Sequence, residues 1–518
     1  MKTKSRILQL FCLAIILIFT GYFPGIQAAK TKVVKIEIYH MSDYHSHALP
    51  SYSDGDYSRG GISRAIAVLR EAKQRSKNVL VLSGGDTINL NNPIWSDVYT
   101  CTEWSWFNGI LDGMALGNHE FDYGPEVFAN CTNNITYPII SSGLVSKDSS
   151  KAILPEYYIY ERGGVKIGVF AVAGDDFPSI VKANLIPNNT RWLTGSEKLT
   201  RTKEIVKILR EKEKVDLVIA AGHQYMAEDL KMAQEVAGID LILGTHGHFK
   251  AEFTKLSGTN TYFISPYQYL NYLSHVTLQI SQNKIINAKG ELITITKGVT
   301  EDKFLAEKVD LMYNSLKAKH PERFEVLGQA SSLIDNAGLD FGESMIGNLV
   351  TDLARQATKA NVFFHTASSF RAAIPPGEIT RENFLTALPY NNILVTAQMS
   401  GEQILDLLQF SVSRQGSDFF CQTSGLRYSI NAKDKTVSEV EILEDPTSSK
   451  YTRIDPKKTY LVATANYLAL VANGYKEKFA QSSNLTKTDI ELNNLVINHI
   501  QKNSPISANL DGRVKIIK

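Results

Sequence analysis

The chain has 518 residues, with 55 lysines and arginines against 53 aspartates and glutamates, a formal net charge of +2. That length exceeds what one hydrophobic core normally serves and predicts two domains. The near-balanced charge argues against a nucleic-acid polymer or an anionic membrane surface as a partner held by bulk electrostatics.

Residues 1–29 read as a signal peptide: basic "MKTKSR", apolar "ILQLFCLAIILIF", then small residues in "GIQAAK" for cleavage near Ala28 or Ala29. The apolar run is short for a membrane span. The C-terminal "LDGRVKIIK" is charged and offers no hydrophobic tail for a glycolipid anchor. The expectation is a secreted, periplasmic or cell-surface protein with no stable membrane anchor. Loss of Lys2, Lys4 and Arg6 with the leader leaves 52 basic against 53 acidic residues, or 52 − 53 = −1. Cys12 leaves too, so Cys101, Cys131 and Cys421 remain. Three thiols cannot all pair; Cys101–Cys131 is one available bridge, and Cys421 reads as a buried thiol. Sequons at Asn130, Asn134, Asn188 and Asn484 are glycan acceptors only in a eukaryotic secretory route.

The first half then repeats a short apolar strand, a polar loop and an amphipathic helix. "VVKIEIYHM" runs into "SDYHSH", and "NVLVLSGGD" ends at Asp86. "LDGMALGNHE" reaches Asn118 and His119, "VDLVIAAGH" reaches His223, and "IDLILGTHGH" reaches His246 and His248. Helical periodicity fills the gaps, as in "GISRAIAVLREAKQ" and "TRTKEIVKILREKEK". Strands alternating with helices predict an α/β layered domain with a partly parallel core, in which ligands gather at the carboxyl ends of strands. A polar helix from about Glu301 to His320 reads as an interdomain linker. Beyond it, "ESMIGNLVTDLARQAT" and "SGEQILDLLQFSVSR" read as helices, the second with Ser400 and Gln403 at capping-box spacing. "NVFFHTA" and "TYLVATANYL" read as core strands of a second α/β unit.

Five strand ends therefore carry Asp43, His45, Asp86, Asn118, His223, His246 and His248. Oxygen and nitrogen donors without thiolate suit Zn²⁺, Mn²⁺, Co²⁺ or Fe²⁺ in a reactive site. Seven donors are too many for one ion and enough for two, provided one carboxylate bridges. Asp86, the lone acid after a Gly-Gly turn, is the best bridge.

The motifs "DYHSH", "GGD", "GNHEFD", "AGH" and "GTHGH", in that order, resemble those of the dinuclear metallophosphoesterases, and the second half resembles the 5'-nucleotidase C-terminal domain. The resemblance to the 5'-nucleotidase family covers nearly the whole mature chain. It implies a four-layer α/β/β/α catalytic sandwich over 30–300, a linker helix over 301–325, and a smaller α/β substrate-binding domain over 326–518. It assigns Asp43, His45, Asp86 and His248 to one metal, and Asp86, Asn118, His223 and His246 to the other. His119 and Asp122 match the catalytic dyad. Two divalent ions, Zn, Mn or Co, would activate water for in-line attack on phosphorus. On the substrate side, Arg371 matches a phosphate contact, Phe420 and Tyr475 a base-stacking pair, and Asn391 lies near a domain-facing loop; Arg414, ahead of "QGSDFF", reads as a second phosphate contact. The family's Gly-Gly before the Arg371 segment is replaced by Ser368, Ser369 and Phe370, and its "GGDGF" by "VANGY".

The expected activity is hydrolysis of nucleoside 5'-monophosphates by a monomer or homodimer. Hydrolysis of UDP-sugars, 2',3'-cyclic nucleotides or nucleoside di- and triphosphates is the alternative within the family. A secreted nucleotide-binding protein without catalysis is the alternative outside it; such a protein should have lost part of the ligand set, and this chain retains all of it.

Overall fold

The computed structural model describes residues 32–517 except 54, 91–92, 418 and 447–449, so the signal-peptide reading lies outside the described residues. Among those described, no helix is long and apolar enough to cross a membrane.

The apolar runs of the first half become two six-stranded sheets. One carries β1 (Val34–Met41), β2 (Val79–Ser83) and β3 (Gly113–Ala115) side by side in parallel. The other carries β4 (Val165–Phe170), β5 (Leu217–Ala220) and β6 (Leu241–Leu243), also parallel. Side chains alternate across a strand, and here both faces are buried. Ile36, Ile38, Leu80 and Leu82 meet Leu217, Ile219, Leu241 and Leu243 in the core between the sheets. The alternate residues Tyr39, Met41, Val79 and Val81 pack outward on helix α1 (Ile62–Arg75), through Ile62, Ala65, Ile66 and Leu69. Val218, Ala220 and Ile242 pack outward on the other side, against Leu199, Val206 and Met232. Two buried faces per strand explain why these segments read as near-continuous apolar runs. The result is the expected α/β/β/α layering, with the carboxyl ends of the parallel strands opening at one edge.

A helix at Lys303–Lys319, capped by Asp302 on the N–H of Leu305 at 2.9 Å, follows. Leu305, Val309 and Leu316 dock it into the helix-side core of the catalytic half. The C-terminal half is built on a mixed five-stranded sheet containing Val362–Thr366, Thr459–Ala465 and Ile393–Ser400. Helices Met345–Thr358 and Leu492–Asn503 cover one face and Gly401–Ser413 the other. The Ser400 capping box forms as the spacing predicts, with Ser400 Oγ accepting from the Gln403 N–H and Gln403 Oε1 accepting from the Ser400 N–H.

Cys101 on α2 (Ile94–Trp106) and Cys131 on α3 (Pro125–Thr132) form a disulfide, and Cys421 is a buried free thiol. Two residues on from Cys101, Glu103 is fully buried. It accepts hydrogen bonds from the Tyr44 hydroxyl, from Ser46 Oγ at 2.5 Å and from Trp95 Nε1 at 2.8 Å. These bonds tie the loop after β1 to α2. Burial outweighs the three donors and pushes the Glu103 pKa up to about 8. The folded protein thus keeps a proton that the unfolded chain releases near pH 4.3. Its stabilising effect is full below that pH and is lost as pH rises toward 8. Urea unfolding of wild type and Glu103→Gln, both with chelator present, should show the wild-type stability falling relative to the variant between pH 5 and 8. The expected fall is up to about 1.4 kcal/mol per pH unit, and a difference that does not vary with pH would rule out this assignment.

Candidate metal centre

The loops at the open edge are held in an unusual backbone conformation. Asp43, His45, Asp86, His246 and His248 all have positive φ, between 46° and 60°. Left-handed backbone costs a non-glycine residue roughly 1–2 kcal/mol, and such strain concentrates at functional sites. The glycines permit the close approach this needs. A Cβ on Gly84 would stand 2.2 Å from Thr245 Cγ2, and one on Gly117 would stand 2.2 Å from Asp86 Oδ1.

The side chains converge in three overlapping groups, in each of which the donor atoms lie within 4.8 Å of one another. Asp43, His45 and His248 form one, and Asp86, His223 and His246 another. A third joins Asp86 to His45 and His119. Asp43 Oδ1 is 3.3 Å from His248 Nε2, 3.8 Å from His223 Nε2 and 3.9 Å from His45 Nε2, yet it is buried without a hydrogen bond. His223 Nε2 lies 3.0 Å from Asp86 Oδ2 without hydrogen-bond alignment, and Asn118 Oδ1 is buried with no partner. His45 and His248 turn their Nε2 atoms toward each other at 2.9 Å. Unsatisfied polar atoms this close are costly unless something lies between them. Oxygen and imidazole donors converging on common points fit divalent cations.

The ionisation states agree. Burial opposes charge on Asp43 and Asp86, but the imidazoles around them outweigh it and hold both below the ordinary carboxylate range. Burial, reinforced by the Arg371 charge, lowers His248 to about 4 and keeps it neutral. His45, also lowered by burial first, stays neutral as well. His223 goes the other way, to about 10, because Asp86 overcomes burial. A cation at that point would displace the proton.

His119 and Asp122 form the expected pair, Nδ1 to Oδ2 at 2.7 Å, on a short turn after β3. Asp122 Oδ2 also accepts the Leu90 N–H at 2.8 Å, which fixes the carboxylate. Burial opposes the imidazolium, but Asp122 and Asp86 raise the His119 pKa to about 9.

Three groups escaped the sequence reading. Glu120 lies between His119 and Asp122, fully buried, and accepts the backbone N–H of Thr87 and Gly117 at 2.7 Å and of Asp86 at 3.0 Å. It fastens the bridging aspartate to the dyad turn. The signal was present, since Glu120 is one of four polar groups in "NHEFD". Asp176 accepts from His246 Nε2 at 3.1 Å. Tyr225 packs against the His246 ring, with centroids 4.4 Å apart.

The substrate-side expectations divide. Arg371 is 7% exposed, and its charge lowers the pKa of His45, His119 and His248, which brings it to the centre. The Tyr269 hydroxyl, from the catalytic half, donates to its carbonyl at 3.2 Å. The Arg414 guanidinium lies 4.9 Å over the Phe410 ring. Asn391 is exposed and donates to Glu491 at 3.1 Å. The expected stacking pair needs correction: Phe420 and Tyr475 are both fully buried in the C-terminal core. The Tyr475 hydroxyl donates to the Phe419 carbonyl at 2.6 Å, and its ring meets Phe410 edge-on, so neither face is open to a base. Phe419, half-buried, points instead to Tyr225 across the domains, with centroids 6.2 Å apart.

Residues 36–250 match the family model of calcineurin-like phosphoesterases, and residues 326–481 match that of the 5'-nucleotidase C-terminal domain. The chain is 26% identical to the protein UshA of Yersinia enterocolitica, over 94% of this chain and 95% of that one. It is 24% identical to an apyrase of Tabanus yao, over 93% and 94%. The fold is that of the 5'-nucleotidase precursor of Thermus thermophilus, with a TM-score of 0.77 over 93% of this chain and 99% of that chain at 23% identity. With both domains matched in the same order, the chain belongs to the 5'-nucleotidase family and is a metallophosphoesterase, a hydrolase of phosphoric esters.

Proposed function

We propose that this hydrolase removes phosphate from nucleoside 5'-monophosphates outside the cytoplasm, using two divalent cations. The observation that carries the reading is Asp86, shared by two donor groups, with the His119–Asp122 pair on one side. Arg371, supplied by the C-terminal half, brings its charge to the same centre, where it lowers the pKa of His45, His119 and His248. Asp43, His45, Asp86 and His248 would hold one ion, and Asp86, Asn118, His223 and His246 the other. When bound, such ions supply Lewis-acid activation of water and charge neutralisation on phosphate oxygens.

The remaining work falls to side chains. His119 donates from Nε2 to a phosphoryl oxygen as negative charge grows there, and Asp122 keeps the proton of Nδ1 in place so that the ring holds one orientation. Arg371 presents a planar guanidinium to the phosphate, a geometry suited to bidentate recognition. The catalytic half over 30–300 handles phosphorus, the segment 301–325 links, and 326–518 selects the leaving group. An extracytoplasmic site is supported by the leader-like residues 1–29 and by the Cys101–Cys131 disulfide, a bond that persists in oxidising compartments. A relative named apyrase favours nucleoside di- and triphosphates as the second reading.

Phosphate release from AMP, ATP, UDP-glucose and 2',3'-cyclic AMP, before and after chelation and with zinc, manganese or cobalt restored, separates these readings. AMP should be the best substrate, and chelated protein should be inactive; activity undiminished by complete metal removal would end the proposal. His119→Ala should lose two or more orders of magnitude in turnover, on the scale of about 10²–10³ for one transition-state donor, with metal content unchanged. Asp86→Ala should bind at least one ion fewer, and full loading of both sites would count against a shared ligand. Arg371→Ala should lower kcat/KM for AMP by about 10–100-fold, the scale of one charge-assisted contact, while metal content stays constant.

A further inference from the structure

Five of the strand ends at the open edge carry the donors described above. Another, after β4, continues as "AVAGDDFPS", residues 171–179. This segment is built into the centre. His223 N–H donates to the Val172 carbonyl at 2.8 Å, and Ala173 forms a parallel bridge with His223. Gly174 leaves no room for a side chain, since a Cβ there would lie 2.5 Å from Asp176 Oδ1 and 3.1 Å from the Phe177 ring. That close passage sets Asp176 Oδ2 3.1 Å from His246 Nε2. The fully buried Phe177 ring packs on His246 at 5.7 Å and on His223 at 5.9 Å between centroids.

An imidazole can ligate a metal through one nitrogen only if the other carries the proton, and which nitrogen does so is set by the partner of the other. Because Asp176 faces Nε2, the proton belongs there and the lone pair belongs to Nδ1. We propose that Asp176 is a positioning residue for the metal centre: it accepts the Nε2–H of His246 and so fixes the tautomer and ring angle that leave Nδ1 free to ligate. The inference rests on the reading of His246 as a ligand. Phe177 and Tyr225 bracket the ring by packing alone, whereas Asp176 chooses which nitrogen is exposed.

The test is zinc binding to the intact protein, by competition with a chelating indicator, for wild type, Asp176→Ala and Asp176→Asn. Thermal melting of the metal-free proteins accompanies it. In Asp176→Ala one of the two ions should bind about 10–100-fold more weakly, the usual cost of removing such a partner, with the other ion and the metal-free melting point unchanged. Asp176→Asn, whose amide oxygen still accepts the Nε2–H, should stay within about threefold of wild type, well short of that loss. If Asp176→Ala does not fold, Asp176→Ser, polar but too short to reach the ring, is expected to show the same weakening. Wild type with two ions and an alanine or serine variant that binds both equally tightly overturns the inference, as does an asparagine variant as weak as the alanine one. Wild-type protein that holds fewer than two ions overturns the ligand reading, and this inference with it.

Discussion

A carboxylate removed from water must be surrounded by donated hydrogen bonds or positive charge, and Asp86 draws on both. It is 1% exposed, its Oδ1 accepts the His119 N–H at 2.9 Å, and its Oδ2 faces His223. Its own backbone is held by Glu120, which also holds Thr87 and Gly117. One buried acid thus fixes the relation between two loops, one carrying the shared carboxylate and the other the dyad. Without compensation these acids would repel each other, and Glu120 records the repulsion: burial and then the Asp86 charge push its pKa up to about 7.

The layered architecture makes that concentration of polar groups tolerable. Two sheets packed face to face exclude water from the strand bodies and release the chain only at the strand ends. Several loops there turn sharply, with Asp43, His45, Asp86, His246 and His248 in left-handed backbone and glycine at positions 84 and 117, where neighbours approach closely. The strain is offset by the rigidity of the sheets beneath, whose core residues Ile36, Ile38, Leu80 and Leu82 are at most 1% exposed. Outer anchors complete the support. Glu103 secures the loop of Asp43 and His45 through Tyr44 and Ser46, the two residues that interleave with those donors.

The layers, the helix Lys303–Lys319 and the side chains that converge at the sheet edge were legible because each has a periodic or compositional signal. Apolar runs ending in Asp or His are rare enough to register, and Ser400 with Gln403 states a helix start outright. Glu103, Glu120 and Asp176 were not legible in the same way. Each acts through backbone N–H groups or through another side chain, and acidic residues in helices or loops have many solvated precedents. Glu103 sits near the C-terminal end of α2, and only the convergence of Tyr44, Ser46 and Trp95 on it makes it special. The β4 loop carries "GDD" with no histidine of its own, and only its place at the sheet edge puts Asp176 beside His246.

The substrate side shows the opposite limit. Phosphorus chemistry is the same for every phosphoester, so the catalytic half can be read from its donors alone, but the leaving group is chosen by surfaces that only packing defines. Phe419 and Phe420 are adjacent and chemically identical. The Ser417 carbonyl accepts the Phe420 N–H, and the Phe420 carbonyl accepts from Ala367, which fixes that residue against the central sheet and drives its ring into the core. The Phe419 carbonyl is taken by the Tyr475 hydroxyl, and its ring is left facing the catalytic half. The Tyr475 hydroxyl thus ties a ring buried in the core to the backbone of Phe419, whose own ring meets Tyr225. A motif that specifies an aromatic pair by position cannot register which of two adjacent rings is buried, because that is decided by packing and by contacts as distant in sequence as the bond between residues 56 apart.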